Sequence, residues 1–173
     1  MIRGGERGAQ HGLALTDNTL REWVGLGVFL LLTLGVAAIG SVITSSGQAW
    51  NDPLEKPWFY PPGWLFGPVW TALYVMMAVA AWLVWRGRGI PRTQGALGLW
   101  TVQLALNLAW TGIFFGLEQP GWALVEILVL WVAIAATGVV FWRYSQLASW
   151  LLVPYLAWVT FAAALNFELW RLN

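Results

Sequence analysis

The sequence predicts an all-α integral membrane bundle of five transmembrane helices, and three observations carry that prediction. Of the 173 residues 59% are hydrophobic and only 10% charged, whereas a soluble domain normally carries about 25% charge. Mean hydropathy is +0.64, which is more apolar surface than a chain of this length can hide from water. The apolar residues also fall into five runs, 23–44, 64–85, 95–116, 122–142 and 150–169, each close to the roughly 20 residues a helix needs to cross a bilayer. Four of the five begin with Trp, and the second and fourth also end with it, the placement of headgroup-level belts.

The chain divides into a tail, residues 1–21, and a membrane domain, residues 22–173. The tail mixes Gly, Arg, Glu, Gln, Asp and Asn without apolar periodicity and is read as mostly disordered. The first apolar run exceeds the roughly 7 to 15 residues of a signal-peptide core, so it is read as a retained helix. The small residues Ala37-Ala38-Ile39-Gly40 are the one patch that would suit cleavage.

Between the first two runs lies a loop, 45–63, loaded with proline and aromatics from Trp50 to Trp64. Pro53, Pro57, Pro61 and Pro62 fix φ and remove four backbone donors, so this segment is expected to be a stiff, irregular lid. Rigid aromatics on a pre-ordered loop lose little entropy when they cover a flat apolar ligand. The same residues would also serve as an interfacial anchor.

The basic residues set the orientation. Arg3, Arg7, Arg21, Arg86, Arg88, Arg92 and Arg143 fall on the side of the tail, and only Lys56 and Arg171 on the other. The positive-inside rule then puts the N-terminus in the cytoplasm and the C-terminus, with the lid, on the opposite side.

In hydrocarbon a polar side chain is costly unless it faces the bundle interior, so Gln103, Asn107, Glu126 and Asn166 are expected to point inward. Gln103, Asn107 and Trp110 share one helix face; Tyr155, Trp158, Ala162 and Asn166 share another; Trp70 and Tyr74 are four apart on a third. Each residue alone reads as packing or interhelical glue. Together, beneath a stiff aromatic loop, they describe an apolar small-molecule cavity with a few polar groups. Gly112 and Gly116 form a GxxxG step on the third run, which predicts a homodimer through that helix. Glu126 is given no role.

Several function classes are disfavoured. A net charge of +1, with the basic residues scattered singly, offers no nucleic-acid surface. With no Cys, and His11 confined to the tail, the membrane domain has no imidazole or thiolate for haem ligation or a zinc site. No metal or obligatory cofactor is expected, and no carboxylate pair suggests a hydrolase. Five helices offer no even inverted repeat of the kind found in carriers.

Asp52-Pro53-Leu54-Glu55-Lys56-Pro57-Trp58-Phe59-Tyr60-Pro61-Pro62-Gly63-Trp64, Trp70-Thr71-Ala72-Leu73-Tyr74, Gln103-Leu104-Ala105-Leu106-Asn107, Ile113-Phe114-Phe115-Gly116, Pro154-Tyr155-Leu156-Ala157-Trp158 and Leu165-Asn166-Phe167 resemble the TspO/MBR family of tryptophan-rich sensory proteins. The resemblance covers the chain from about Trp23 onward and leaves only the tail unmatched. It implies a five-helix receptor or sensor that binds porphyrins, haem-related tetrapyrroles, sterols and benzodiazepine-type ligands under the first loop. The family's pocket positions fall on Trp50, Trp58, Trp70, Asn107, Trp110, Trp158, Ala162 and Asn166. Trp70 and Trp158 correspond to the pair linked, in some members, to light-dependent porphyrin breakdown, which makes a degrading enzyme the alternative function and a tetrapyrrole or sterol carrier a further one. Phe167 stands where the family's sterol motif has Tyr, a departure that argues against cholesterol.

Overall fold

The computed structural model describes residues 3–173, with side chains from residue 19 onward. Its helices are α1 (Arg3–Ser46), α2 (Gln48–Asn51), α3 (Gly63–Trp85), α4 (Ile90–Thr111), α5 (Pro120–Trp142), α6 (Gln146–Trp150) and α7 (Val153–Leu172); a π-helical turn, Gly112–Gly116, prolongs α4. Five stretches are long and apolar enough to span a membrane: Thr19–Ser46, Gly63–Trp85, Ile90–Gly116, Pro120–Trp142 and Gln146–Leu172. The chain is an all-α, multi-pass integral membrane protein, and its lipid-facing surface is accordingly apolar, with Trp23, Trp64, Trp122 and Trp150 exposed near the span ends.

The helices start earlier than their apolar runs because start signals lie outside those runs. Gly89 caps α4 at φ 72 and Pro91 occupies its first turn, so the helix begins at Ile90 instead of residue 95. Pro120 opens α5 in the same way. Ser145 caps α6 by accepting a hydrogen bond from the Ala148 amide at 3.3 Å, and Pro154 then opens α7. At the N-terminal end α1 is helical through residues 19–21, where the sequence suggests disorder. Trp82 Nε1 donates to the Glu22 carbonyl at 2.8 Å and the Arg21 guanidinium lies 5.5 Å from the Trp85 ring centre. These contacts to α3 hold that turn. The helical backbone runs on to Arg3, and the side chains of the rest of the tail, His11 included, lie outside the described residues.

Around the bundle α1 packs between α3 and α4, α4 against α5, α5 against α7, and α6 closes the ring against α3. Gly25 takes the ring of Trp85 where any side chain would collide with it, so α1 and α3 approach closely. Small buried residues on α3, Ala78, Ala80 and Ala81, have the same effect. By contrast the backbones of α3 and α7 hold apart, and aromatic side chains fill the space. Phe66 packs on Trp158 at 6.0 Å and Trp70 on Tyr155 at 6.4 Å between ring centres. Two apolar clusters result, a large one from Leu73 to Val159 at mid-bundle and toward the basic end, and a smaller one around Phe114, Ala123, Leu165 and Leu169.

The loop between α1 and α3 roofs the second cluster. It contains one helical turn, α2, ahead of its first proline, and beyond Pro53 it is irregular, as four prolines require. Gly47 lies against the Phe115 carbonyl, a position any Cβ would fill. Trp50 packs on Phe114 at 5.6 Å and Phe59 on Phe161 at 6.2 Å. Lys56 Nζ donates to the carbonyls of Asn51 and Asp52 at 3.2 and 2.7 Å. Asn173 clamps Glu55 from α7: its Oδ1 accepts from the Glu55 amide at 2.9 Å, and its Nδ2 donates to the carbonyls of Glu55 and Leu169 at 3.2 and 2.9 Å.

Candidate functional site

A cavity of about 370 Å³ lies between the two clusters and beneath the loop. The wall on α3 is Phe66, Trp70 and Tyr74; α4 and its π-helical turn give Asn107, Trp110 and Phe114; α7 gives Trp158, Ala162, Leu165, Asn166 and Leu169. Asn51 and Tyr60 close the top. Its facing indoles, Trp70 and Trp158, stand edge to face at 6.5 Å and 89°. Large rings holding two helices apart leave a slot lined by π-faces, which suits a flat apolar ligand.

The two asparagine amides that α4 and α7 give to the wall are already spent within the protein. Asn107 Oδ1 accepts from the Tyr74 hydroxyl at 2.6 Å, and Asn107 Nδ2 donates to the Tyr155 hydroxyl at 3.0 Å. One side chain therefore ties α3, α4 and α7 together. Asn166 Oδ1 accepts from Trp110 Nε1 at 3.1 Å, and its Nδ2 donates to the Pro120 carbonyl at 2.8 Å, tying α4, α7 and the start of α5. In hydrocarbon such groups must be paired, so these are wall and interhelical bond at once. Two polar atoms of cavity-lining residues are buried without a partner, Asn51 Oδ1 and Trp158 Nε1. No charged side chain lines the cavity.

Six of the eight positions named from the sequence line this cavity: Trp70, Asn107, Trp110, Trp158, Ala162 and Asn166. Two do not. Trp58 is 95% exposed, with its ring against Phe59 at 5.6 Å, and it is not among the residues that line the cavity. Trp50 is half-buried behind Phe114 and supports the wall instead of forming it. Gln103 is buried below the cavity, its Nε2 3.8 Å from Met77 Sδ and its Oε1 unpartnered. Glu126, also off the wall, has both carboxylate oxygens buried without a partner. Among the described residues no cluster of His, Asp or Glu could hold a metal ion.

Gly112 and Gly116 fall in the π-helical turn, closed by the Leu117 amide donating to the Gly112 carbonyl at 2.9 Å. The wider turn breaks the alignment that GxxxG has on an α-helix. Gly116 faces Ile43 of α1, 3.5 Å from where its Cβ would be, and Gly112 has open space beside it.

The sequence also leaves part of the wall unseen. Ala37, Gly40, Ser41 and Thr44 form a small-residue face of α1 along one side of the cavity. Their spacing of three and four is visible in the sequence, and it begins in the patch, Ala37 to Gly40, read there for its suitability to cleavage. Asn51 carries no signal, because the single turn of α2 that it ends is too short to show a periodic face.

The family model of the TspO/MBR family matches residues 28–171. The chain is 44% identical over 154 residues to the translocator protein of Homo sapiens, covering 87% of this chain and 91% of that one. It is 41% identical over 148 residues to protein CrtK of Rhodobacter capsulatus, covering 84% and 91%. With the tryptophan-rich sensory protein of Cereibacter sphaeroides it shares 39% identity over 155 residues, covering 88% and 93%.

Proposed function

The chain belongs to the TspO/MBR family, and on that premise we propose that it is a membrane receptor or sensor that binds a porphyrin or related tetrapyrrole in the aromatic cavity under its first loop. The observation that carries the reading is the slot between α3 and α7, walled by Trp70, Trp110 and Trp158 and free of charged side chains. A planar macrocycle gains dispersion and stacking contact there without desolvating any charge on the protein. The names of the relatives, a translocator protein and a tryptophan-rich sensory protein, accord with ligand handling in a membrane. Sterol- and benzodiazepine-like molecules fit the same apolar walls. The charge bias, with Lys56 and Arg171 alone on the loop side, supports a loop on the non-cytoplasmic face and an N-terminus in the cytoplasm.

The test is a titration of the purified protein in neutral detergent with metal-free porphyrin, followed by indole quenching and by the shift of the pigment's Soret band. Saturable binding at one pigment per chain supports the reading. Quenching no greater than that of an unrelated tryptophan-rich membrane protein would remove it.

A second reading rests on the edge-to-face contact of Trp70 and Trp158 and on the absence of any partner for Trp158 Nε1. An indole against a bound porphyrin can give an electron to the excited pigment, leaving an indole radical cation and a porphyrin radical anion, with dioxygen as the onward oxidant. Illumination separates the readings: Soret absorbance lost in light and kept in the dark indicates degradation, and a stable pigment in both indicates sensing.

A further inference from the structure

The charge-free wall raises the question of where an acidic ligand would hold its acid groups. A carboxylate placed among Trp70, Trp110, Phe114 and Trp158 would lose its hydration with no counter-charge to replace it. Its acid groups must therefore stay at the edge of the cavity. At the loop end the described cations are Lys56 and Arg171. Arg171 is occupied, with Nη2 and Nε at 2.6 and 3.1 Å from Glu168 Oε2. Lys56 has no carboxylate within ion-pair distance among the described residues. Its Nζ is held by the carbonyls of Asn51 and Asp52 and lies 5.5 Å from the Tyr60 ring centre. Asn51 and Tyr60 both line the cavity, so the ammonium, on an exposed residue outside the lining itself, stands beside its upper rim. An ammonium has three donors, and two neutral carbonyls and the face of Tyr60 leave one donor over and the charge without a counter-charge.

We propose that Lys56 is the carboxylate-binding residue of the cavity mouth, so that an amphiphilic planar ligand lies ring-first in the slot with one acid group under the loop. The chemical class follows: an apolar aromatic plate bearing a carboxylate at one edge. The identity of the plate as a tetrapyrrole rests on the function proposed above, and the orientation rests on charge alone. The Asn51 and Asp52 carbonyls hold the ammonium, on a loop whose backbone Pro53 and Pro57 restrict, so the cation is positioned before the ligand arrives. The competing account is that Lys56 only staples the loop through Asn51 and Asp52. A staple would act on every ligand alike.

The experiment compares metal-free protoporphyrin IX with its dimethyl ester, in uncharged detergent at neutral pH, on the unaltered chain, Lys56→Met and Lys56→Arg. Lys56→Met is expected to weaken the diacid about three- to tenfold and leave the diester unchanged. Lys56→Arg should restore most of the diacid affinity. Added salt should weaken binding of the diacid, and not of the diester, to the unaltered chain. Equal weakening of both pigments by Lys56→Met would establish the staple and overturn the proposal, as would diacid affinity that Lys56→Met leaves intact. Should Lys56→Met fail to fold, diacid binding that ignores salt overturns it equally. If the unaltered chain binds neither pigment, the tetrapyrrole reading falls and this proposal with it, a result distinct from the other two.

Discussion

Tyr74 and Tyr155 grip the same amide, Asn107, from two helices, α3 and α7: one hydroxyl donates to Oδ1 at 2.6 Å and the other accepts from Nδ2 at 3.0 Å. The floor of the cavity is thus a hydrogen-bonded bridge across the slot. Above it the rings of Phe66 and Trp70 on α3 meet Trp158 on α7. The slot keeps its width because the bridge fixes it below and the rings fill it above.

The bridge should be worth more than any one wall contact. Asn107→Leu leaves two buried hydroxyls without their partner, and each is expected to cost about 1–3 kcal/mol. The thermal midpoint in detergent should fall clearly. Adding Tyr74→Phe and Tyr155→Phe to Asn107→Leu should recover part of the loss, because replacing all partners removes the unsatisfied groups. No recovery in the triple variant would mean that Asn107 contributes mainly by shape.

The indoles of the wall should separate by their hydrogen bonds. Trp110→Phe removes the donor to Asn166 Oδ1 and should lower stability by about 1 kcal/mol. Trp158→Phe removes an N–H that has no partner and should lose no hydrogen-bond energy. Under illumination Trp70→Phe and Trp158→Phe are expected to keep most porphyrin binding and to lose any light-driven bleaching, since phenyl stacks but is far harder to oxidise. Bleaching at unchanged speed would take both tryptophans out of that chemistry.

Stiffness of the roof should show in affinity and not in fold. Replacing Pro61 and Pro62 together by Gly enlarges the unfolded and open ensembles of the loop, at about 0.4–1 kcal/mol for each position. Porphyrin binding should weaken severalfold while circular dichroism stays helical. Unaltered affinity in a helical protein would reduce the loop to an interfacial anchor.

The two glycines after α4 should behave differently. A Cβ at Gly116 would already touch Ile43 of α1 at 3.5 Å, so the larger side chain of Gly116→Leu must find room beside α1 and is expected to cost some bundle stability. If the chain forms a homodimer through this helix, as we propose, Gly112 carries the contact, since it alone has free space beside it. Gly112→Leu should then run as a monomer in mild detergent with an unchanged thermal midpoint. A dimer that survives Gly112→Leu uses another surface.

Bilayer thickness made the five helices legible, because a roughly 30 Å apolar layer imposes one run length on every spanning segment. Helix ends were less so. Pro91, Pro120 and Ser145 start helices from polar stretches that hydropathy assigns to loops. Asn107, Trp110, Trp158, Ala162 and Asn166 were readable because a regular helix converts spacing into direction. Trp58 was misplaced for the converse reason: in the proline-rich loop successive residues have no common periodicity, and an aromatic there points where the local φ and ψ send it. The small-residue face of α1 gave little sign of itself, since Gly, Ala and Ser mark a wall by what they leave open.

The clamp between Asn173 and Glu55 makes roof and side wall one mechanical piece. The same Asn173 Nδ2 that holds the loop carbonyl also holds the carbonyl of Leu169, and Leu169 lines the cavity. Lifting the loop therefore releases a brace from the last turn of α7 at the same moment.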